Sequence, residues 1–403
     1  MNLNAHLGRR AFFRRAVGAG LALTAAGHGH AQRSAIERTW PAPVTGLRPV
    51  PALQPMEATA DRIIAMNVCT RPFRAKGPRI ELESFGRKQV VHHYGHGGSG
   101  WSLAWGSAAE ALALVETTGR REIAVIGCGA IGLTTAVAAQ RAGYAVTIYS
   151  RELPPDVQSS NATGVWSPES RICTEEHAPA FADRWERMTR RSHWQHQHLL
   201  GLPGHPVEHQ DIYQLSDIPF GGPPRIRYPD EPSYPRLGRE RTPDLEPTPV
   251  ELDADQNPFK VPFARRTSLL LFNISSYTQL LLNEFTRLGG QLKIRELDGP
   301  GDFSKLRERT LVNCTGYGAR QLLGDDSLVP VRGQTAKLIP QPEVSYGIRY
   351  WDANVYAYPR RDGILVQSGA DGDFGNASEA LDPQESLTAV ARLNAVMQGL
   401  QTD

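Results

Sequence analysis

The spacing of apolar residues changes several times along the chain, and each change marks an element. Residues 122–126 (EIAVI) form an unbroken apolar run, the pattern of a strand buried on both faces. Residues 130–142 follow with small and apolar side chains at helical spacing, and AVTIYS at 145–150 is a second apolar strand. Together they predict a βαβ unit. Upstream, PRIELES (78–84) alternates apolar and charged residues as a half-buried strand does. KQVVHHYG is a short apolar run that enters a glycine-rich loop. SLAWGSAAEALALV (102–115) predicts a helix, closed by Thr117, Thr118 and Gly119.

The remainder is patchier. Residues 178–200 and 278–288 read as helices, the second ended by Gly289 and Gly290. QLKIREL (291–297) and TLVNCTG (310–316) read as strands, the latter running into a glycine turn. Residues 354–369 alternate as a hairpin, and 383–400 read as a helix. Two stretches carry no period and many prolines. Residues 32–61 read as a linker, and 217–262 as a long surface excursion. No internal repeat is present.

Glycine placement adds chemistry to the βαβ unit. Gly127, Gly129 and Gly132 form GxGxxG between the first strand and the helix. The first glycine permits the tight turn, the second lets the backbone approach a pyrophosphate, and the third lets helix pack on strand. The helix N-terminus offers amide groups and partial positive charge to a phosphate. An acidic residue ending the second strand would grip a ribose, but that strand ends Tyr149-Ser150-Arg151-Glu152, which puts Glu152 slightly late. The motif alone does not separate NAD from FAD.

Composition narrows the class. With 403 residues the chain has room for two domains, and 38 glycines and 30 prolines predict many loops. The net charge of +2 gives no nucleic-acid footprint. Cys69, Cys128, Cys173 and Cys314 form no CxxC pair, so they read as buried thiols and no metal site is expected. The histidines at 193, 196, 198, 205 and 209 lack a metal-binding motif and read as a solvated helix face. At the N-terminus, Arg9-Arg10 precede Phe12-Phe13 and an apolar run, about Ala16–Ala26, too short for a span of about 20 residues. Residues 1–31 match a twin-arginine signal peptide with cleavage after Ala31. They predict export through the twin-arginine machinery to the periplasm or beyond, without a stable membrane anchor.

Several segments resemble the D-amino-acid oxidase family of FAD enzymes. IAVIGCGAIGLTTAVAAQRAG and SSNATGVWSP resemble its N-terminal flavin-binding segment. TSLLLFNISSYTQLLLNEF, LVNCTG and VPVRGQTAKL resemble its middle, and VYAYPRRDGILVQSG its substrate hairpin. CTRPFRAKGPRIELE and HHYGHGGSGWSLAWG resemble its C-terminal signature. That signature, at 62–115, here precedes the family's first segment at 123. The resemblance therefore implies a circular permutation, with the helix at 102–115 linked through ETTGRRE into the first strand of the dinucleotide fold.

The implied fold is α/β, with a Rossmann-like FAD-binding domain (86–170 and 267–328). An α+β substrate domain with a mainly antiparallel sheet would comprise 62–85, 171–266 and 329–403. The implied FAD contacts are Gly127, Gly129, Ala130, Ile131, Gly132, Ser150, Arg151, Ser159, Ser160, Gly164, Val165, Trp166 and Thr315. The loop residues Gly97, Gly98, Gly100, Trp101 and Ser102 join them. The loop would aim N–H groups at the flavin, and Ser102 is placed to cap its helix. The resemblance assigns the substrate carboxylate to Arg74, with Arg71 a structural neighbour, and a second contact to the Tyr356 hydroxyl. Asp352 stands where the family has a further tyrosine. His92, His93 and His96 are expected to be packed, not acid–base groups.

The implied reaction is hydride transfer from the α-carbon of a D-amino acid to FAD, followed by reoxidation with O2 to hydrogen peroxide. A glycine or secondary-amine oxidase, a flavin dehydrogenase of the same fold and a non-catalytic flavin-binding protein are the alternatives. Oligomeric state is left open.

Overall fold

Two sheets organise the protein, and the sequence of each strand explains which faces it buries. The computed structural model describes residues 53–222, 228, 230–369 and 372–400. The expected signal peptide and most of the expected linker lie outside these residues. In chain order the elements are β1 (Ile63–Arg74), β2 (Arg79–Phe85), β3 (Lys88–Tyr94), α1 (Gly100–Thr117), β4 (Glu122–Ile126), α2 (Ala130–Arg141) and β5 (Ala145–Ser150). Then follow α3 (Ala178–Gln197), β6 (Val207–Ser216), α4 (Leu237–Arg241), β7 (Val250–Glu251), β8 (Phe263–Phe272), α5 (Ile274–Arg287) and β9 (Gln291–Ile294). The last elements are β10 (Thr310–Asn313), α6 (Ala319–Leu323), β11 (Leu328–Leu338), β12 (Tyr346–Tyr350), β13 (Val355–Arg360), β14 (Gly363–Gln367) and α7 (Pro383–Gln398).

The six-stranded sheet has the order β2-β3-β10-β4-β5-β9. Strands β3, β10, β4, β5 and β9 run parallel, and β2 joins the edge antiparallel to β3. The unbroken apolar run of β4 serves both faces. Ile123 and Val125 pack in one core with residues of α1, α2 and α5, while Ala124 and Ile126 pack on the other side with Phe303 and Leu311. This is the Rossmann-like half of the α/β fold. One assignment is corrected: β2 belongs to this sheet, whereas the sequence reading placed 62–85 wholly in the substrate domain. The two-residue alternation of β2 is compatible with either sheet, and pairing with β3 decides it.

The eight-stranded sheet has the order β1-β11-β14-β13-β12-β6-β8-β7 and is antiparallel except where β12 meets β6. Its alternation sorts the side chains cleanly. Val355, Ala357, Ile364 and Val366 face α7 and pack against Val390 and Leu393. Tyr356 and Tyr358 face the other way, in a cluster with Val165, Leu269 and Leu271. The tail of the expected linker is part of this core: Met56 and Ala58 are buried, and the Met56 amide meets Met397 Sδ at 3.2 Å. Residues 53–58 therefore pack as an arm, because α7 leaves an apolar groove that they fill.

The polar helix α3 also departs from expectation. His196 is fully buried against Trp166, Phe272 and Tyr277, and its Nδ1 lies 3.1 Å from the Tyr277 hydroxyl. Only part of the histidine-rich face is solvated. His196 contributes to the core because the helix lies against α1, while His193 is half-buried and His198 exposed. All four cysteines are buried and unpaired. Among the described residues no helix is long and apolar enough to cross a membrane, and no group of His, Cys, Asp and Glu is arranged to hold a metal ion.

Candidate active site

The C-terminal ends of β3, β4, β5 and β10 open into a cavity of about 480 Å³, a volume typical of cofactor and ligand sites. Gly127 turns the chain out of β4 with φ +101°. A Cβ at Gly132 would lie 2.1 Å from the Gly127 carbonyl oxygen, so the helix can approach the strand only without a side chain there. The Leu133 amide closes the first helical bond onto the Gly129 carbonyl. The amides of Ile131 and Gly132 precede that ladder, the arrangement that receives a phosphate. Ser159 Oγ accepts the Ala130 amide at 2.9 Å and fixes the crossing segment over the helix end.

The second glycine loop reaches the same cavity. Gly97, Gly98, Gly100, Trp101 and Ser102 line it opposite Gly127, Gly129, Ala130 and Ile131. Its N–H groups are not all aimed inward, which corrects the sequence reading. The Gly97 amide donates to Pro72 O and the Gly98 amide to Ser170 O, both at 2.9 Å. Ser102 is not the cap either. Helix α1 begins at Gly100 after Ser99, and Ser102 Oγ in the first turn accepts the Ser167 amide at 2.8 Å. Trp101 Nε1 donates to Ser159 O at 2.9 Å, which ties the two glycine segments together.

Other predicted contacts divide. Ser150, Arg151, Ser159, Gly164, Val165 and Thr315 line the cavity. Glu152 lines it too, although its carboxylate is engaged by Arg151 at 3.0 Å. Gly132, Ser160 and Trp166 do not line it. Trp166 is buried against His193, His196 and Phe272, and it supports the loop from behind. Residues the sequence reading missed include Arg295–Asp298 after β9, which β5 pairing brings to the cavity rim.

The two arginines of RPFR exchange places. Arg74 Nε donates to Ser327 Oγ at 2.8 Å and its Nη1 to Gly77 O at 3.2 Å, away from the cavity. Arg71 lines the cavity instead. The reason is strand geometry: residues three apart on β1 point to opposite faces. Gly333, opposite Cys69 on the paired strand, leaves room for this side chain: a Cβ there would lie 2.3 Å from the guanidinium and would displace it. Arg71 Nη1 donates to Arg332 O at 2.7 Å, and among the described residues no carboxylate lies within ion-pair distance of it. Tyr356 does not line the cavity, but it packs beside Val165, which does.

Residues 122–403 match the model of the DAO family, described as FAD dependent oxidoreductase. The chain belongs to this family. FAD is therefore the cofactor that the dinucleotide cavity takes. The chain is 24% identical over 273 residues to a D-amino-acid oxidase of Dictyostelium discoideum, covering 67% of this chain and 72% of that one. It is 26% identical over 292 residues to a D-aspartate oxidase of Homo sapiens, covering 69% and 77%. An iminodiacetate oxidase structure from Chelativorans sp. BNC1 aligns at 14% identity with a TM-score of 0.46, over 69% of this chain and 79% of that one.

The residues fit FAD on their own terms. A Cβ at Gly97 would lie 1.9 Å from Arg171 O, so the loop is held flat against the cavity by backbone packing that excludes any side chain. His93 and His96 line the cavity with three ring nitrogens that have no partner among the described residues. Burial holds His93 well below the usual histidine range and brings His96 to about 3. Both are neutral at physiological pH, and neither can act as a cationic group there. Burial also lowers the pKa of Arg71, and the nearby Arg171 lowers it further, while Cys69, Asp373 and Glu231 oppose the change. Arg71 is thus a partly desolvated cation without a dedicated counterion among the described residues.

Proposed function

We propose that this protein is an FAD-dependent oxidase that deaminates D-amino acids, with Arg71 holding the substrate carboxylate. The observation that carries the reading is the half-buried Arg71 guanidinium in the wall of the FAD cavity, held by Arg332 O and, among the described residues, by no carboxylate. A planar guanidinium binds a carboxylate through parallel charge-assisted hydrogen bonds, and low dielectric strengthens them. Arg332 O fixes one arm of the fork, and Gly333 leaves the space it needs. The Tyr356 hydroxyl, on the sheet face beside Val165, supplies a second contact to the carboxylate. When bound, FAD supplies the two-electron acceptor, which O2 reoxidises with release of peroxide. This chain's own contribution is positioning and the exclusion of water; His93 and His96 stay neutral and take no proton.

Circular permutation is part of the same proposal. The family model matches from residue 122 onward, yet β1 to α1, which precede it, complete both sheets. Loop 97–102 and the turn 127–132 border one cavity, as a permuted order requires. The twin-arginine segment at 1–31 supports export, which a secretion-reporter fusion with Arg9 and Arg10 replaced by Lys would test.

The experiment for the main reading is a panel of D- and L-amino acids, glycine and N-methylglycine with the purified holoenzyme, read by peroxide release. Turnover of several D-amino acids with none of their L-enantiomers is the expected result. Turnover confined to glycine or N-methylglycine would replace this reading by the amine-oxidase one, and a flavin-loaded protein silent on the whole panel would remove it.

A further inference from the structure

The excursion at 217–262 does more than cover surface. Past Tyr228 it brings Glu231 inward to a side chain that is 9% exposed. There the carboxylate accepts from Arg171 Nη2 at 2.7 Å and from Arg171 Nε at 3.2 Å. Arg171 is itself constrained. It has φ +49°, uncommon for a side chain of this size, and its carbonyl is the backbone atom packed under Gly97. Its guanidinium lies 6.0 Å from the Tyr234 ring. Tyr234 in turn meets Phe73 edge-on at 5.7 Å, and Phe73 shares a face of β1 with Arg71. Arg171 and Glu231 do not line the cavity themselves; Arg171 sits behind Gly97, which does, and so stands one layer back from the wall that holds Arg71. The charges of both Arg171 and Glu231 bear on Arg71.

We propose that Glu231 is a specificity-determining residue: by holding Arg171 in a half-buried ion pair it keeps this second arginine from substrate, so that the site favours amino acids with uncharged side chains. The inference rests on the reading of Arg71 as the carboxylate-binding residue. Two effects act in the same direction. Arg171 already has a carboxylate partner, and a substrate bearing a second carboxylate would feel the Glu231 charge from behind the cavity wall across a poorly solvated space, where like charges repel strongly. Neutralising Glu231 frees Arg171 as a cation close to Arg71, which converts the same space into one that attracts a second carboxylate.

The test compares substrates of equal shape and different charge: D-glutamine against D-glutamate, with the holoenzyme. The wild-type protein is expected to prefer D-glutamine in kcat/KM by about tenfold or more, and Glu231→Gln to move the ratio toward D-glutamate by about tenfold or more. The double variant Glu231→Gln with Arg171→Gln should lose that gain. In parallel, pentanoate and pentanedioate are titrated against the flavin absorbance, and the dicarboxylate should gain affinity only in Glu231→Gln. An unchanged ratio in a flavin-loaded Glu231→Gln protein would overturn the inference. So would a wild-type enzyme that takes D-glutamate as well as D-glutamine, a result that needs no variant to fold. If the wild type turns over neither substrate, the mono- and dicarboxylate titration decides the role of Glu231, and the oxidase reading stands or falls separately on the whole panel.

Discussion

The two sheets contribute to the site by different means. The six-stranded sheet holds its half of the cavity with backbone: glycines at 97, 127 and 132, helix ends, and carbonyl-to-amide bonds that fix loop positions. The eight-stranded sheet contributes side chains projected from alternating strand positions, with Arg71 in the cavity wall and Tyr356 packed beside Val165, on faces set by register. Backbone-built sites tolerate little change at glycine and are insensitive to the identity of neighbouring side chains. Side-chain-built sites behave the other way, since one residue of register exchanges every group on a face.

That contrast can be broken at several points. The largest effect is expected in the backbone-built half: Gly97→Val forces a branched side chain onto Arg171 O at a positive φ, and the purified protein should carry no bound flavin by its absorbance near 450 nm. Retained flavin would show that the loop has more room than its packing implies.

A second effect is one of stability. His96 and His196 are both brought to about 3 by burial, and burial holds His93 well below its ordinary value. Their unfolded pKa is about 6.5, so below that pH the unfolded chain binds protons that the folded one refuses. Stability should be complete above about pH 6.5 and fall as pH drops toward 3, by up to about 1.4 kcal/mol per pH unit for each histidine. Urea midpoints at pH 7.5 and 5 would measure this. Equal midpoints would place these rings in contact with water.

Smaller effects belong to single hydrogen bonds. Tyr356→Phe should raise KM about fivefold to tenfold, the worth of one hydrogen bond to a charged group, with kcat changed less. A lower kcat at constant KM would give the hydroxyl a role other than binding. Trp101→Phe removes the bond to Ser159 O and should weaken FAD binding by only a few-fold, measured by flavin fluorescence on dilution.

Local signals made the backbone-built half readable from sequence. The apolar run of β4, the GxGxxG turn and the apolar run of β5 each determine their own conformation, and the structure has them at Glu122–Ile126, Ala130–Arg141 and Ala145–Ser150. The glycine loop and the helix after it were legible for the same reason, although Ser99, not Ser102, precedes the helix. The side-chain half was less legible, because what decides it is pairing at long range. Arg71 and Arg74 are equivalent in composition, and only the antiparallel register of β1 with β11, which sets Arg71 beside the gap at Gly333, separates them. Membership of β2 was hidden in the same way. His196 looked solvated because helix α3 is polar by composition, and its partners Phe272 and Tyr277 come from β8 and α5. Glu231 lay in an aperiodic stretch that no local pattern could orient.

The most direct measurement is the pair Arg71→Leu and Arg74→Leu, compared in kcat/KM for the best D-amino acid of the panel. Two charge-assisted hydrogen bonds are worth roughly 3–5 kcal/mol, so Arg71→Leu should lose about two to four orders of magnitude, while Arg74→Leu stays within about threefold of wild type and both keep their flavin. A large loss in Arg74→Leu with Arg71→Leu nearly intact would contradict the account, and would return the carboxylate to the other face of β1.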